Sequence, residues 1–248
     1  MEDKKKTPLL FGKHPVIDAI KAGKDIDKLL LERGTGGDFE KEIRRLSKAH
    51  NIPLQVVPRE RMDRWTRSNH QGIIGLLSLV KYYHIEAILP QLFEKSEVPL
   101  LLVLDGVTDV RNFGAIARSA ELCGVHAIII PESGAAQING DAIKTSAGAL
   151  NDILICRERS LMKSIEYLQL SGVQVMASNL GAQTNLHELD LTQATALVIG
   201  SEGKGISKPV LKIVDQDFMI PQQGKTDSFN VSVATGIMLY ETMRQRMG

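Results

Sequence analysis

Leu100-Leu101-Leu102-Val103-Leu104-Asp105-Gly106-Val107-Thr108-Asp109-Val110-Arg111-Asn112-Phe113-Gly114 is the stretch on which the reading of this chain turns. Pro99 precedes a run of apolar residues, a polar turn follows, and a helical pattern from Phe113 to Cys123 ends at Gly124, a residue suited to closing a helix. A strand that is apolar at every position, without alternation, is buried on both faces, as in a parallel sheet covered by helices. The same strand-to-helix unit recurs downstream. Ala127–Ile130 is apolar and closed by Pro131, Asp141–Leu150 reads as a helix and Ile153–Cys156 as a strand. Ser160 is placed to cap a helix through Leu170, with Gly172 after its end. Val173–Ala177, Ala196–Ile199 and Phe218–Ile220 read as further strands. Ser207-Lys208-Pro209 opens a short helix, with proline where a missing N–H does no harm, and Val231–Arg246 reads as a long amphipathic helix.

Upstream, the alternation is shorter. Leu29–Leu31, Leu54–Val57 and Ile73–Leu79 are strand-like, and Phe39–His50 and Arg59–Thr66 helix-like. The expected organisation is a small α/β domain over residues 1–81, a linker over 82–98 containing a connecting helix, and a larger α/β domain over 99–248. Charge is divided in the same way. Residues 1–84 carry 17 Lys and Arg against 11 Asp and Glu, a net +6, whereas residues 85–248 carry 13 against 18, a net −5. A basic first part is equally consistent with contact to a polyanion and with ordinary solubilising charge.

No stretch approaches the roughly 20 apolar residues that span a bilayer, and Met1–Lys6 has no apolar core behind it, so neither a membrane anchor nor a secretory signal is expected. Cys123 and Cys156 lack metal-ligand spacing and read as two buried thiols in a reducing, cytoplasmic setting. The chain contains no G-x-G-x-x-G after a strand, no P-loop, no H-E-x-x-H and no G-x-S-x-G. A nucleotide-like ligand must therefore be held in another way.

Three polar turns follow three of the strands, and in α/β sheets ligands bind outside the carboxyl ends of strands. The first holds Asn112, near a helix start where its amide can cap, and leads to Arg118 among the small residues Ala115, Ala117, Ser119 and Ala120. Arg118 offers a planar fork suited to phosphate; an ion pair with Glu121 at i+3 is the alternative. The second is Ile199-Gly200-Ser201-Glu202-Gly203-Lys204-Gly205, a carboxylate on a turn whose glycines permit close backbone approach. The third runs from Ile220-Pro221 to Ser228-Phe229-Asn230-Val231-Ser232, whose Ser and Asn are good caps for the last helix.

In this order, and over about 130 residues, the three turns resemble the three motifs of the SpoU/TrmH branch of the SPOUT RNA methyltransferases. The last motif is usually close to S-L-N-V-S and here reads S-F-N-V-S. Phe11-Gly12-Lys13-His14-Pro15-Val16 and Asn69-His70-Gln71-Gly72-Ile73 are similar to the substrate-binding domain of the ribosomal RNA subgroup. The resemblance implies a parallel sheet with a deep trefoil knot, preceded by a small ribosomal-protein-like RNA-binding domain. It implies S-adenosylmethionine bound at Gly200, Glu202, Gly203, Ile220 and Phe229, and no metal. The reaction implied is methylation of a ribose 2′-hydroxyl, with Asn112, Arg118, Glu202, Ser228 and Asn230 as the catalytic set. A homodimer through the long terminal helix is also implied. Phe229 either packs on adenine or fills a core gap, and Asp227 has no assigned role.

RNA contacts are expected from Lys13, His14, Arg61, Arg64, Arg67 and His70, with His14 and His70 open to a structural role instead. Arg59 belongs to the same basic run, and Trp65 within it either stacks on bases or anchors the core. Ribosomal RNA of the large subunit is the favoured substrate, because tRNA-directed relatives generally lack such an N-terminal domain. A tRNA methyltransferase and a catalytically inactive RNA-binding or ribosome-assembly factor are the alternatives.

Overall fold

A computed structural model of the chain describes residues 8–248; the charged segment Met1–Lys6 lies outside them. The chain divides into two units, one running to Lys81 with Ile138–Gly140 added to it, the other comprising Tyr82–Gln137 and Asp141–Gly248.

The first unit runs β1 (Leu9–Phe11), α1 (Lys13–Lys21), β2 (Ile26–Glu32), α2 (Gly37–Ala49), β3 (Leu54–Val57), α3 (Arg59–Met62) and β4 (Ile73–Leu77). Its sheet has the order β1-β4-β2-β3. β4 pairs antiparallel with both β1 and β2, and β2 and β3 are parallel. Val16, Ile20, Leu29, Ile43, Leu46 and Ile73 meet in one buried cluster, which is why α1 and α2 each bury an apolar stripe. The helix expected over Arg59–Thr66 is only four residues long. Asp63, Arg64 and Trp65 continue it as irregular turn, and Trp65 is 39% exposed, so it does not anchor the core.

The second unit runs β5 (Tyr82–Tyr83), α4 (Ile85–Glu94), β6 (Leu100–Asp105), α5 (Val110–Leu122), β7 (Ala127–Pro131), α6 (Gly140–Thr145), β8 (Leu154–Glu158), α7 (Leu161–Leu170), β9 (Gln174–Ser178), β10 (Thr195–Gly200), α8 (Lys208–Leu211), β11 (Gln216–Phe218) and α9 (Val231–Met247). Seven strands form one sheet in the order β11-β9-β10-β6-β7-β8-β5. Every neighbouring pair is parallel.

Residues 82–98 are an integral part of this unit. β5 closes one sheet edge against β8, and the Arg157 guanidinium lies 3.9 Å from the centroid of the Tyr82 ring. Ile85, Ile88, Leu89 and Leu92 of α4 are buried with Leu101 and Val103 of β6. The intervening strand residues, Leu102, Ile128 and Leu197, are equally buried on the opposite face, where α9 packs on β10 and on α5. Side chains alternate across a strand, so a strand covered on both faces has no polar position to show.

The helix expected over Asp141–Leu150 is broken. α6 ends at Thr145, Ala147 and Gly148 take φ of 52° and 98°, and a 3-10 turn at Ala149–Asn151 follows. Residues in the left-handed region cannot continue a right-handed helix. Cys156 is buried and Cys123 half-buried, and both are free thiols. Burial, and then the nearby Glu158 charge, push the Cys156 thiol up to about 12, leaving it protonated and unreactive.

Candidate active site at the carboxyl ends of β6 and β10

β6 is followed by β7 and β8 on one side, whereas β9, β10 and β11 lie on the other. The order reverses between β6 and β10, which run in register from Leu100↔Thr195 to Asp105↔Gly200. Such a switch point opens a crevice beyond the strand ends. The Asp105 carboxylate accepts a 2.7 Å hydrogen bond from the Ser207 backbone N–H, tying the loop after β10 to the end of β6.

That loop is shaped by its glycines. A Cβ on Gly200 would sit 2.0 Å from the Gly205 carbonyl carbon and 2.2 Å from the Ile206 nitrogen. The loop doubles back on itself here: Ser201 and Gly205 exchange two backbone hydrogen bonds of 3.1 and 2.9 Å. Gly203 and Gly205 take φ of 78° and 66° to make the turn. Glu202 is carried at its tip, exposed to solvent.

Three side chains from three loops converge. The Asn230 amide donates to Asn112 Oδ1 at 3.1 Å and to Glu202 Oε1 at 2.6 Å. Its own Oδ1 accepts from Ser232 N–H at 2.9 Å and from the Ser232 hydroxyl at 2.6 Å, capping α9. Both donors and both acceptor positions of this amide are therefore in use. The arrangement fixes Glu202 by one oxygen, and its Oε2 has no partner among the described residues. Asn112 does not cap α5. Asp109 does so, accepting from Asn112 N–H at 2.8 Å, which leaves the Asn112 side chain available to Asn230.

Beside this cluster lies a cavity of about 330 Å³, within the range of small-molecule sites. Gly200, Glu202, Gly203, Ile220, Phe229 and Ser228 line it, so every expected cofactor residue is present. Asp227, previously without a role, also lines it; no Lys or Arg does, among the described residues. Two carboxylates without a basic partner suit a positively charged ligand. Ser178, Asn179 and Leu180 complete one wall and Met219 and Gln222 another. Sequence reasoning missed these residues, although the end of the Val173–Ala177 strand was a usable signal once β9 is known to neighbour β10.

Arg118 is not brought into the cluster. It is exposed on α5, about 9 Å along the helix axis from Asn112 at the usual rise per residue. The structure forms no ion pair between Arg118 and Glu121. Among the described residues no group of His, Cys, Asp and Glu could hold a metal ion, and no helix is long and apolar enough to cross a membrane.

In the first unit, Lys13 and His70 line a second cavity of about 390 Å³, together with Arg59. His14, Arg61, Arg64 and Arg67 are exposed outside it. His70 is buried in the wall of that cavity. It is 3% exposed, its Nδ1 accepts from Gly72 N–H at 3.1 Å, and its Nε2 faces Asp63 Oδ1 at 3.2 Å. The imidazole therefore locks the loop before β4.

Comparison with known proteins bears on both units. Residues 99–240 match the SpoU rRNA Methylase family, and residues 9–83 match a domain described as RNA 2′-O ribose methyltransferase substrate binding. A Bacillus subtilis protein named for the TrmH family of tRNA/rRNA methyltransferases, YacO, is 32% identical over 96% of this chain and 95% of its own length. The AdoMet-bound rRNA methyltransferase of Sinorhizobium meliloti is 26% identical, with a TM-score of 0.60, over 95% of this chain and 86% of that one. The SpoU methyltransferase AviRb of Streptomyces viridochromogenes, at 24% identity and a TM-score of 0.61 over 96% and 90%, shares the fold. The chain is a member of the SpoU/TrmH family of RNA methyltransferases.

Proposed function

We propose that this protein transfers a methyl group from S-adenosylmethionine to a ribose 2′-hydroxyl of large-subunit ribosomal RNA, in the cytoplasm. The observation that carries the reading is the Asn112–Asn230–Glu202 cluster beside an acidic cavity at the sheet's switch point. The residues fit the cofactor. Glu202 and Asp227 suit its cationic groups, Leu180, Ile220 and Phe229 suit an adenine face, and the space that a Cβ on Gly200 would fill lets backbone groups reach it. Bound there, S-adenosylmethionine supplies a methyl group activated by a sulfonium.

A ribose hydroxyl is a poor nucleophile and needs its proton removed or its developing charge stabilised. Glu202, held by Asn230 through one oxygen, has its other oxygen free to accept that proton; a substrate phosphate is the second candidate acceptor. Asn230 acts through Glu202 and Asn112, and is a positioning residue. Ser228 sits on the cavity wall, within reach of either ligand. Arg118, exposed on α5 outside the cluster, offers a planar guanidinium whose proposed role is to hold the RNA phosphate.

Residues 1–81 serve as the RNA-binding domain, with Lys13, His14, Arg61, Arg64 and Arg67 as contacts, and residues 99–248 carry the chemistry. The ribosomal assignment is supported by the description of the family matched by residues 99–240 and by the substrate-binding match over residues 9–83. Placement of β10 between β6 and β9, with β11 beyond them, supports the knotted topology expected of the family. A homodimer is supported by Val233, Tyr240 and Met247, seven residues apart and exposed on one face of α9.

The test is methyl transfer to unmodified large-subunit ribosomal RNA and to bulk tRNA, with Arg118→Lys alongside. Incorporation into the ribosomal RNA, lost by at least about tenfold in the variant, is expected. Incorporation into tRNA alone would move the substrate, and near-normal turnover by Arg118→Lys would remove the need for a planar guanidinium.

A further inference from the structure

The cavity of the first unit contains more than a basic surface requires. Three cations line it, Lys13, Arg33 and Arg59, and so does the carboxylate of Glu32 at the end of β2. A surface meant only for phosphates is weakened by a carboxylate among its cations. Glu32 is 22% exposed, and its contact with Arg59 is loose, at 3.8 Å. A pair so open to water contributes little by itself, so holding Arg59 is not a sufficient reason for the carboxylate.

The surrounding loop is held rigidly. Glu32 N–H donates to the Gly72 carbonyl at 2.9 Å, and His70 is buried beneath the same loop. Gln71 takes a φ of 51°, a left-handed conformation unusual for a residue with a side chain. Its Oε1 accepts from Lys13 N–H at 3.1 Å, and its own N–H donates to Asn69 Oδ1 at 3.3 Å. Backbone strain persists where surroundings enforce it, and such positions cluster at ligand sites. The result is a preformed recess of about 390 Å³ with cations, one carboxylate and two side-chain amides at its walls.

We propose that this recess captures one unstacked nucleotide of the RNA and selects guanine, with Glu32 as the base-reading residue. The inference rests on the RNA-substrate reading above. Lys13, Arg33 and Arg59 take the phosphate. A carboxylate only accepts hydrogen bonds, and guanine is the base whose Watson–Crick edge offers it two adjacent donors, N1–H and the N2 amine. Single-stranded RNA is read through such exposed edges, and a bidentate contact discriminates between bases by about tenfold or more.

The test is fluorescence anisotropy of the full chain with labelled uridine pentamers carrying G, inosine, A or U at the centre. The unaltered protein is expected to bind the G pentamer about tenfold more tightly than A or U, and inosine, which lacks the N2 amine, to lose most of that gain. Glu32→Gln is expected to bind all four alike, at or above the affinity of unaltered protein for the all-uridine strand, because the carboxylate that weakens phosphate binding is gone. The inosine comparison needs no mutation, so it stands even where the variant is poorly folded. Equal affinity of the unaltered protein for G, A and U overturns base reading while leaving RNA binding intact. No binding to any strand overturns both.

Discussion

Asn230 spends its single amide on two tasks, capping α9 and bridging Glu202 to Asn112, and the two can be separated by substitution. Serine retains an N-cap oxygen but has no N–H pair to give. Asn230→Ser is expected to keep stability within about 0.5 kcal/mol, whereas Asn230→Ala loses about 1 kcal/mol with the cap. Both should lose methyl transfer to a similar extent, by roughly a hundredfold as for other preorganised donors. Chemical denaturation and initial-rate assays check the split. Equal activity loss with unequal stability loss supports it, and an active Asn230→Ser would place the bridge outside the mechanism. Gly200→Ala belongs at the same scale. Its Cβ meets backbone, which cannot swing aside, so the whole Ser201–Ile206 loop must shift. Cofactor affinity should fall by at least about tenfold in calorimetry, the equivalent of losing one well-placed contact.

Much of the site was legible residue by residue. Gly200, Glu202 and Asn230 stood in short polar turns after apolar strands, and those turns do meet. What could not be read was which of two neighbouring polar residues performs a local task. Asp109 and Asn112 are both competent helix caps, and only the backbone path gives the cap to Asp109. His70 was open to a structural or an RNA-contacting role, because burial is not visible in a loop sequence. Glu32 and Arg33 were hidden at the end of an apolar strand, where a carboxylate carries no pattern.

At the scale of one element, the last turn of α9 is fastened by hydrogen bonds. The Arg246 guanidinium donates to the carbonyls of Leu191, Val98, Pro99 and Gln193 at 2.6 to 3.1 Å. Gln245 adds bonds to Leu191 N–H and the Leu189 carbonyl. Together they join the helix end to the segments that enter β6 and β10. Arg246→Met keeps the stem and removes the donors; it should cost about 2–4 kcal/mol in urea denaturation, since hydrogen bonds to a charged group are the strong ones.

Glu241 supplies a pH signature in the same helix. Hydrogen bonds from Arg244 and then Gln245 hold its carboxyl at about 2, below its ordinary 4.5. A carboxyl depressed by folding stabilises the native state fully above its unfolded value, and that contribution is lost as pH falls through the folded one. Between pH 4.5 and 2, thermal unfolding of Glu241→Gln should therefore vary less with pH than that of the unaltered chain. Parallel curves would show that the pair contributes nothing. The helix itself was plain from sequence, but not its surfaces. Val231, Met238 and Leu239 are buried while Val233 and Tyr240 are exposed, so apolar residues lie on two sides and the expected simple amphipathic pattern is absent.

For the whole molecule, that second apolar side is the surface assigned to a partner copy. Tyr240→Asp is expected to give a monomer by light scattering at concentrations where the unaltered chain is a dimer, because an unpaired charge is costly in a buried interface. An unaltered chain that is itself monomeric would contradict the dimer. The parallel sheet was legible as a class because strands covered on both faces lack polar alternation. Its order was not, since β10 is adjacent to β6 in space across many intervening residues. β1 and α1 were missed because a three-residue strand and a proline-bearing helix carry little periodicity.

The proposed reaction is defined by its methyl acceptor, a ribose oxygen. The direct measurement is to incubate the protein with methyl-labelled S-adenosylmethionine and unmodified large-subunit ribosomal RNA, and to digest the product to nucleosides. Label recovered in a 2′-O-methylnucleoside is the predicted result. Label on a base, or none while the cofactor demonstrably binds, would contradict it.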